Sequence, residues 1–255
     1  MKMILAIMYR EFRIRTTSLT WAFFDMVMPL VYLLIFGLGV DRAFSSGITV
    51  HGSLLSYKEF FLAGVLSMSS FGIAINTSYG FFVDRDNGLF YEILTYPMTR
   101  SQFLIGKILF NCLLSLFQSM LTILAGVFLL GITLQWSNTV FIAGGIILGT
   151  AGWFFFLAPF ALRIHRNDMF NTFINVVYFV MMFASSLFYP LEQLPGWLRT
   201  TGYASPLTWH TDVLRFATVS VGSLDTVLVE AGLFALFLLG SFWFSLHTLR
   251  DNVLS

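Results

Sequence analysis

Charged residues are scarce in this chain. Asp, Glu, Lys and Arg make up 11% of its 255 residues, where soluble domains carry about 25%. Hydrophobic residues fill 57%, aromatics 18%, and the mean hydropathy is +0.82. That excludes an ordinary water-covered domain and points to a chain solvated by lipid. Cysteine is nearly absent. The lone Cys112 lies in an apolar run, which excludes an internal disulfide and a cysteine-based zinc site and leaves a small packing residue. The histidines stand far apart, at 51, 165, 210 and 247, with no H-E-x-x-H pair, so no metal site is expected. No G-x-S-x-G elbow is present, and no catalytic residue is expected. Gly106-Lys107 is followed by Ile108, with no phosphate loop before it, so ATP binding by a P-loop is excluded. The net charge of +1, without a basic stripe, argues against nucleic acid as a partner.

What remains is a series of long apolar runs. Met1–Thr20 mixes Ile4, Leu5, Met8 and Phe12 with Arg10, Arg13 and Arg15, and reads as an interfacial helix whose apolar side is interrupted by Glu11 and Arg15. The first span is Trp21–Val40; no cleavage site follows it, so it reads as an uncleaved anchor. Asp25 lies inside that span, about one turn from its Trp21 end. It is a functional candidate as an ionisable intramembrane group, or a residue at headgroup level. Asp41–Tyr57 reads as a polar loop. The second span, in Lys58–Val83, has a small and polar middle that includes Ser67, Ser69, Ser70, Gly72 and Asn76, so it should face protein or a substrate path. The third and fourth spans are Ile108–Gly131, with Gln118, and Thr139–Leu162, where Gly145 and Gly149 form a G-x-x-x-G face. Met169–Tyr189 reads as the fifth span, with Asn171 and Asn175 one turn apart. Ser69, Asn76, Gln118, Asn171 and Asn175 are the candidates for a substrate pathway. Residues 190–226 are too apolar for a plain loop and too rich in proline for a span. Pro195 and Pro206 each suit a first helical turn, the latter with Ser205 as cap, giving two short helices at the outer leaflet. Val227–Leu246 is the sixth span.

Six spans put both termini on one side. Ten of the fourteen Lys and Arg residues fall on the side of the termini and of residues 84–107, against four on the other. The positive-inside rule makes the former side cytoplasmic and 190–226 extracytoplasmic. The expected fold is an all-α polytopic domain over 1–255: an interfacial helix at 1–20, six transmembrane helices, a charged cytoplasmic segment at 84–107 and outer short helices between spans five and six.

That cytoplasmic segment, within Val83–Lys107, is the most ordered charged stretch in the chain. Asp84-Arg85-Asp86 leads to a turn at Asn87-Gly88. A short amphipathic helix follows over Leu89–Leu94, Pro97 ends it, and Ser101 is the expected cap of the next helix. The order Arg85, Asp86, Gly88, Glu92, Pro97, Gly106-Lys107 resembles the membrane subunits of type-2 ABC transporters, chiefly exporters. Asn87 stands where that family often has Glu, and Leu89 where it often has Thr. A second match lies at Pro190-Leu191-Glu192, Leu194-Pro195, Trp197-Leu198 and Pro206-Leu207-Thr208, with Ser205 in place of the family's Asn. The resemblance implies a permease that carries no ATP site of its own. It implies pairing with two copies of a separate cytoplasmic ATPase holding ATP and Mg, dimerisation with a second copy of the chain, and a place in a bacterial cell membrane. It makes 84–107 the coupling segment, with Asp84, Arg85, Asp86, Gly88, Phe90, Tyr91, Glu92, Leu94 and Pro97 as ATPase contacts. The substrate would be drug-like, lipid-like or a lipid-linked glycan. The competing readings are a passive channel or another six-helix transporter, which should show a selectivity element, and a membrane enzyme, which should show a nucleophile with its base.

Overall fold

The computed structural model describes residues 2–17, 19–43, 47–50, 52–93 and 95–251. It is all-α apart from one hairpin. The N-terminal helix α1 (Lys2–Thr17) leads into α2 (Leu19–Ala43), then α3 (Tyr57–Asp86), the short α4 (Leu89–Ile93), α5 (Arg100–Leu130) and α6 (Thr139–Arg163). After these come α7 (Asn167–Phe183), α8 (Gly196–Tyr203), α9 (Pro206–Val219) and α10 (Leu224–Asp251). The loop expected at 41–57 contains two antiparallel strands, β1 (Ile48–Val50) and β2 (Ser53–Leu55), with Ile48 opposite Leu55 and Gly52 at φ +76° in the turn. Three-residue strands without clear alternation carry too little pattern to be read from sequence.

The arrangement is built around α3. Its small polar residues Ser67, Ser70 and Ser78 are fully buried, and α3 packs against α2, α5, α6 and α9. Small side chains let those helices approach closely, and hydroxyls bond either their own helix or a neighbour. Ser69 and Ser70 donate to carbonyls four residues back, while Ser67 meets Thr211 of α9 at 2.7 Å. The glycine face of α6 is likewise used within the chain. A Cβ at Gly145 would lie 2.8 Å from Leu214 of α9, and one at Gly149 would overlap the His210 ring. The G-x-x-x-G pair therefore seats α9, and it carries no argument for a second copy. Helix ends are capped from the sequence. Thr99, not Ser101, caps α5: it accepts from the Gln102 N–H at 3.2 Å, and Gln102 Oε1 accepts from the Thr99 N–H at 3.0 Å. Gly131 ends α5 at φ +62°.

Five of the described helices are long and apolar enough to cross a membrane: Phe23–Arg42 of α2, Tyr57–Asp86 of α3, Ser101–Leu130 of α5, Trp136–Arg163 around α6 and Leu224–Leu249 of α10. The chain is a multi-pass integral membrane protein. The expected fifth span is shorter than its apolar run. α7 has 17 residues and rises about 26 Å at 1.5 Å each, against about 30 Å of hydrocarbon. It stops at Phe183 because the following serines turn inward. Ser186 donates its N–H to Thr208 Oγ1 and its hydroxyl to Asp212 of α9 at 2.7 Å.

Candidate functional site

The charged segment after α3 does not stand free. Arg10 of α1 grips Asp84 with both guanidinium nitrogens, at 2.5 and 3.0 Å. Lys107 of α5 donates to Asp84 at 2.9 Å and to Glu11 at 3.0 Å, and Arg10 also reaches Glu11 at 3.1 Å. Two cations and two carboxylates thus form a closed clip joining α1, α3 and α5. Lys107, Asp84 and Glu11 are all buried. Burial disfavours the Arg10 charge, but its bonds to Asp84 outweigh that and hold its pKa above the ordinary value. The clip needs close helices, and Gly106 permits them: a Cβ there would lie 2.8 Å from Ile7 Cβ. Next to it, Arg85 donates to the carbonyls of Ala161, Leu162 and Ile164 at 2.7–2.8 Å, tying α3 to the end of α6. It also lies 4.7 Å from the Phe82 ring centre.

Three residues expected to meet a partner are therefore engaged inside the chain. Asp84 and Arg85 are two, and Phe90, at 1% exposure between Phe81 and Phe103, is the third. The residues that point outward are Asp86, Gly88, Glu92 and Pro97, together with Tyr96, which is 60% exposed. Gly88 sits at φ +75° and turns the chain from α3 into α4. Leu94 lies outside the described residues, and so does the side chain of Tyr91.

A second constellation sits where α2, α3, α5 and α7 meet. Pro29 has no N–H to give the Asp25 carbonyl four residues back, and the Gln118 amide of α5 donates to that carbonyl instead. The Asp25 carboxylate accepts from Arg15 of α1 at 2.5 Å and from the Asn76 amide of α3 at 2.9 Å. Asp25, Pro29, Asn76 and Gln118 line a cleft of about 170 Å³, with Ser69, Gly72, Met28, Met68, Tyr32 and Tyr178 among its other walls. Three of the five expected pathway residues, Ser69, Asn76 and Gln118, thus share one cleft with Asp25. The other two do not join it. Asn171 donates to Asn167 and Asn175 to the Asn171 carbonyl, on the outer side of α7. Among the described residues no cluster of His, Cys, Asp or Glu has the makings of a metal site.

The family model for the ABC-2 type transporter matches residues 3–218. The chain belongs to the ABC-2 type transporter family. The putative transport permease ycf38 of Pyropia yezoensis is 25% identical over 77% of this chain and 67% of its own length. The probable multidrug ABC transporter permease YbhR of Escherichia coli K12 is 27% identical over 68% of this chain and 47% of its own. The daunorubicin resistance ABC transporter permease protein DrrB1 of Streptomyces coeruleorubidus is 25% identical over 83% and 75%. The match thus spans only about half the length of YbhR and about two thirds of ycf38.

In this ABC-2 chain the matched range holds both the clip and the cleft. It also ends inside α9, whose inner face carries a third buried cluster. Arg215 pairs with Asp212 and donates to the Ser186 carbonyl at 2.7 Å, while its guanidinium carbon lies 4.0 Å from the Phe60 ring centre. Sequence reasoning missed this cluster. Its signal was Asp212 and Arg215, an (i, i+3) pair within an apolar helix.

Proposed function

We propose that this chain is the permease subunit of an ATP-driven exporter. It works as a six-span homodimer with both termini in the cytoplasm of a bacterial cell, driven by two copies of a separate ATPase that holds ATP and Mg. The substrate moves outward by alternating access. Family membership and the relatives' names, which speak of multidrug transport and daunorubicin resistance, support export of a drug-like or lipid-like amphiphile. In this reading α7 is the fifth span, completed by the turn at Ser185-Ser186 and the short helices α8 and α9. The ten-to-four bias of basic residues supports the topology.

The observation that carries the coupling reading is the clip. α4 is connected directly to α3 and α5, and the same two helices are bonded to α1 through Asp84, Lys107, Arg10 and Glu11. A push on the exposed turn would therefore move three helices as one body. ATP shifts the transporter only through contacts that differ between its states, and Asp86, Gly88, Glu92, Tyr96 and Pro97 form the outward face where an ATPase would make them. Tyr96 has the aromatic character favoured at interface cores, and the two acids would set register. The test is Glu92→Arg and Tyr96→Asp in the assembled complex, reading ATPase binding and export. Loss of coupled export is expected; wild-type binding and export in both variants would remove this segment from the interface. Phe90→Asp is uninformative, because Phe90 is core.

A further inference from the structure

The polar end of the cleft at Asp25 is incompletely matched. Gln118 is 3% exposed and donates its amide to the Asp25 carbonyl, yet its Oε1 has no hydrogen-bond partner among the described residues. Gln118 lines the cleft, and a buried acceptor without a partner marks a position where a donor fits once the side chain turns. The carboxylate beside it is neutralised from outside the transmembrane bundle, by Arg15 reaching in from the surface helix α1.

We propose that this cleft receives the head group of an exported amphipathic protonated amine, and that Arg15 is the resident cation which the amine displaces from Asp25. The inference rests on the export reading above. The recognising chemistry is specific. A protonated amine brings positive charge for Asp25 and further N–H donors for Gln118 Oε1. Tyr32, Tyr178 and the thioether of Met28 give polarisable and aromatic surface to its flanks. An anion is repelled by Asp25, a neutral ligand has no means of replacing Arg15, and a quaternary ammonium has no N–H for Gln118.

Size and placement fit a head group. The cleft holds about 170 Å³, against about 300–1,000 Å³ for a pocket that encloses a drug-sized ligand. An apolar body would therefore lie outside it, along the flank of α2 where Phe24 and Met28 are each 47% exposed. Arg15 suits displacement. It stands on an amphipathic helix outside the candidate spans, and its side chain and that of Asp25 are 19% and 17% exposed, so neither ion is sealed in the bundle. In the clip, by contrast, Lys107 and Asp84 side chains are only 2% and 8% exposed.

The test is direct binding to the full chain in lipid nanodiscs, with 4-phenylbutylammonium as the probe and uncharged 4-phenylbutanol as its control, titrated by saturation-transfer NMR. Arg15→Gln should tighten the ammonium about tenfold or more, and Asp25→Asn should weaken it by a similar factor, the size of one charge-assisted hydrogen bond. Asp25→Glu should keep the ammonium preference, and Gln118→Leu should reduce it. Binding of the alcohol should hold in Arg15→Gln, whose side chain does not line the cleft, reporting an intact cleft. Ammonium binding that is unchanged or weaker in Arg15→Gln overturns the proposal, as does equal behaviour of Asp25→Asn and Asp25→Glu. If Asp25→Asn loses both probes through misfolding, Arg15→Gln and Gln118→Leu decide the matter. No ATPase is needed here, so the two readings fail separately. Export without amine preference sinks this inference alone, whereas amine binding without ATP-driven export sinks the export reading.

Discussion

The helix α1 holds two carboxylates through two arginines five residues apart, and the two sites could hardly be less alike. At the first, Arg10 meets Asp84 in a closed, charge-balanced cluster with Glu11 and Lys107. At the second, Arg15 meets Asp25 at the edge of a cleft, with an amide from Asn76 and an unmatched Gln118 oxygen nearby. The same pairing chemistry serves different ends because of what surrounds it. In the clip every charge has an opposite charge within hydrogen-bonding distance, so the cluster can only hold or break. In the cleft the carboxylate has one cation and open space, so its partner can be exchanged.

The sharpest way to break this comparison is to remove each carboxylate and compare the costs. Asp84→Ala leaves Arg10 and Lys107 sharing the Glu11 carboxylate in a largely buried site, and a buried pair broken by loss of one partner costs about 3–5 kcal/mol. Asp25→Ala removes one partner of a less buried pair and should cost less than Asp84→Ala, because Arg15 stands on α1 outside the candidate spans. Reversible unfolding in mixed micelles measures both. Equal costs would mean that the cleft pair is as structural as the clip.

A smaller effect is expected at Gly106, where the methyl of Gly106→Ala would press on Ile7 Cβ at 2.8 Å and on the Ile4 carbonyl at 3.0 Å. Overpacking of that kind costs about 1–3 kcal/mol. Here it should appear as a loosened α1. Hydrogen exchange over residues 2–17 should accelerate while exchange in α3 stays slow, because α3 is held by α6 and α9 as well. Slow exchange in α1 would show that the clip alone suffices to seat the helix.

Much of this was legible in the sequence, though unevenly. Five of the six expected spans correspond to helices long and apolar enough to cross, and the turn at Gly88 and the starts of α8 and α9 follow from glycine and proline chemistry. The family was carried by the order of residues from Arg85 to Lys107. The clip was visible only as a flaw. Glu11 and Arg15 interrupt the apolar side of α1, and these same two residues turn inward to meet Lys107 and Asp25. Their partners lie 96 and 10 residues away, and periodicity within one helix says nothing about which distant charge fills such a gap. The Gln118 contact had a signal that reasoning passed over, since Pro29 four residues after Asp25 necessarily frees a carbonyl. Asn171 and Asn175 lie one turn apart as their spacing predicts, but each amide bonds within α7, and neither lines the Asp25 cleft.

The smallest effect on stability should come from the residue with the largest expected effect on coupling. Glu92 is exposed on α4, and among the described residues its side chain enters neither the clip nor the Phe81–Phe90–Phe103 core. Glu92→Arg should therefore change folding stability by no more than about 0.5 kcal/mol, as surface substitutions do away from such features. Its charge faces outward beside Asp86 and Tyr96, so reversal should act on a partner instead. In the assembled transporter we expect weaker ATPase association and lower coupled export, with unchanged amine binding at the Asp25 cleft. Salt dependence sharpens the reading, because a rim charge acts mainly through screened attraction. The difference between wild type and Glu92→Arg should shrink as ionic strength rises. An equally small effect on coupling at low salt would leave α4 as a linker that only closes over the clip.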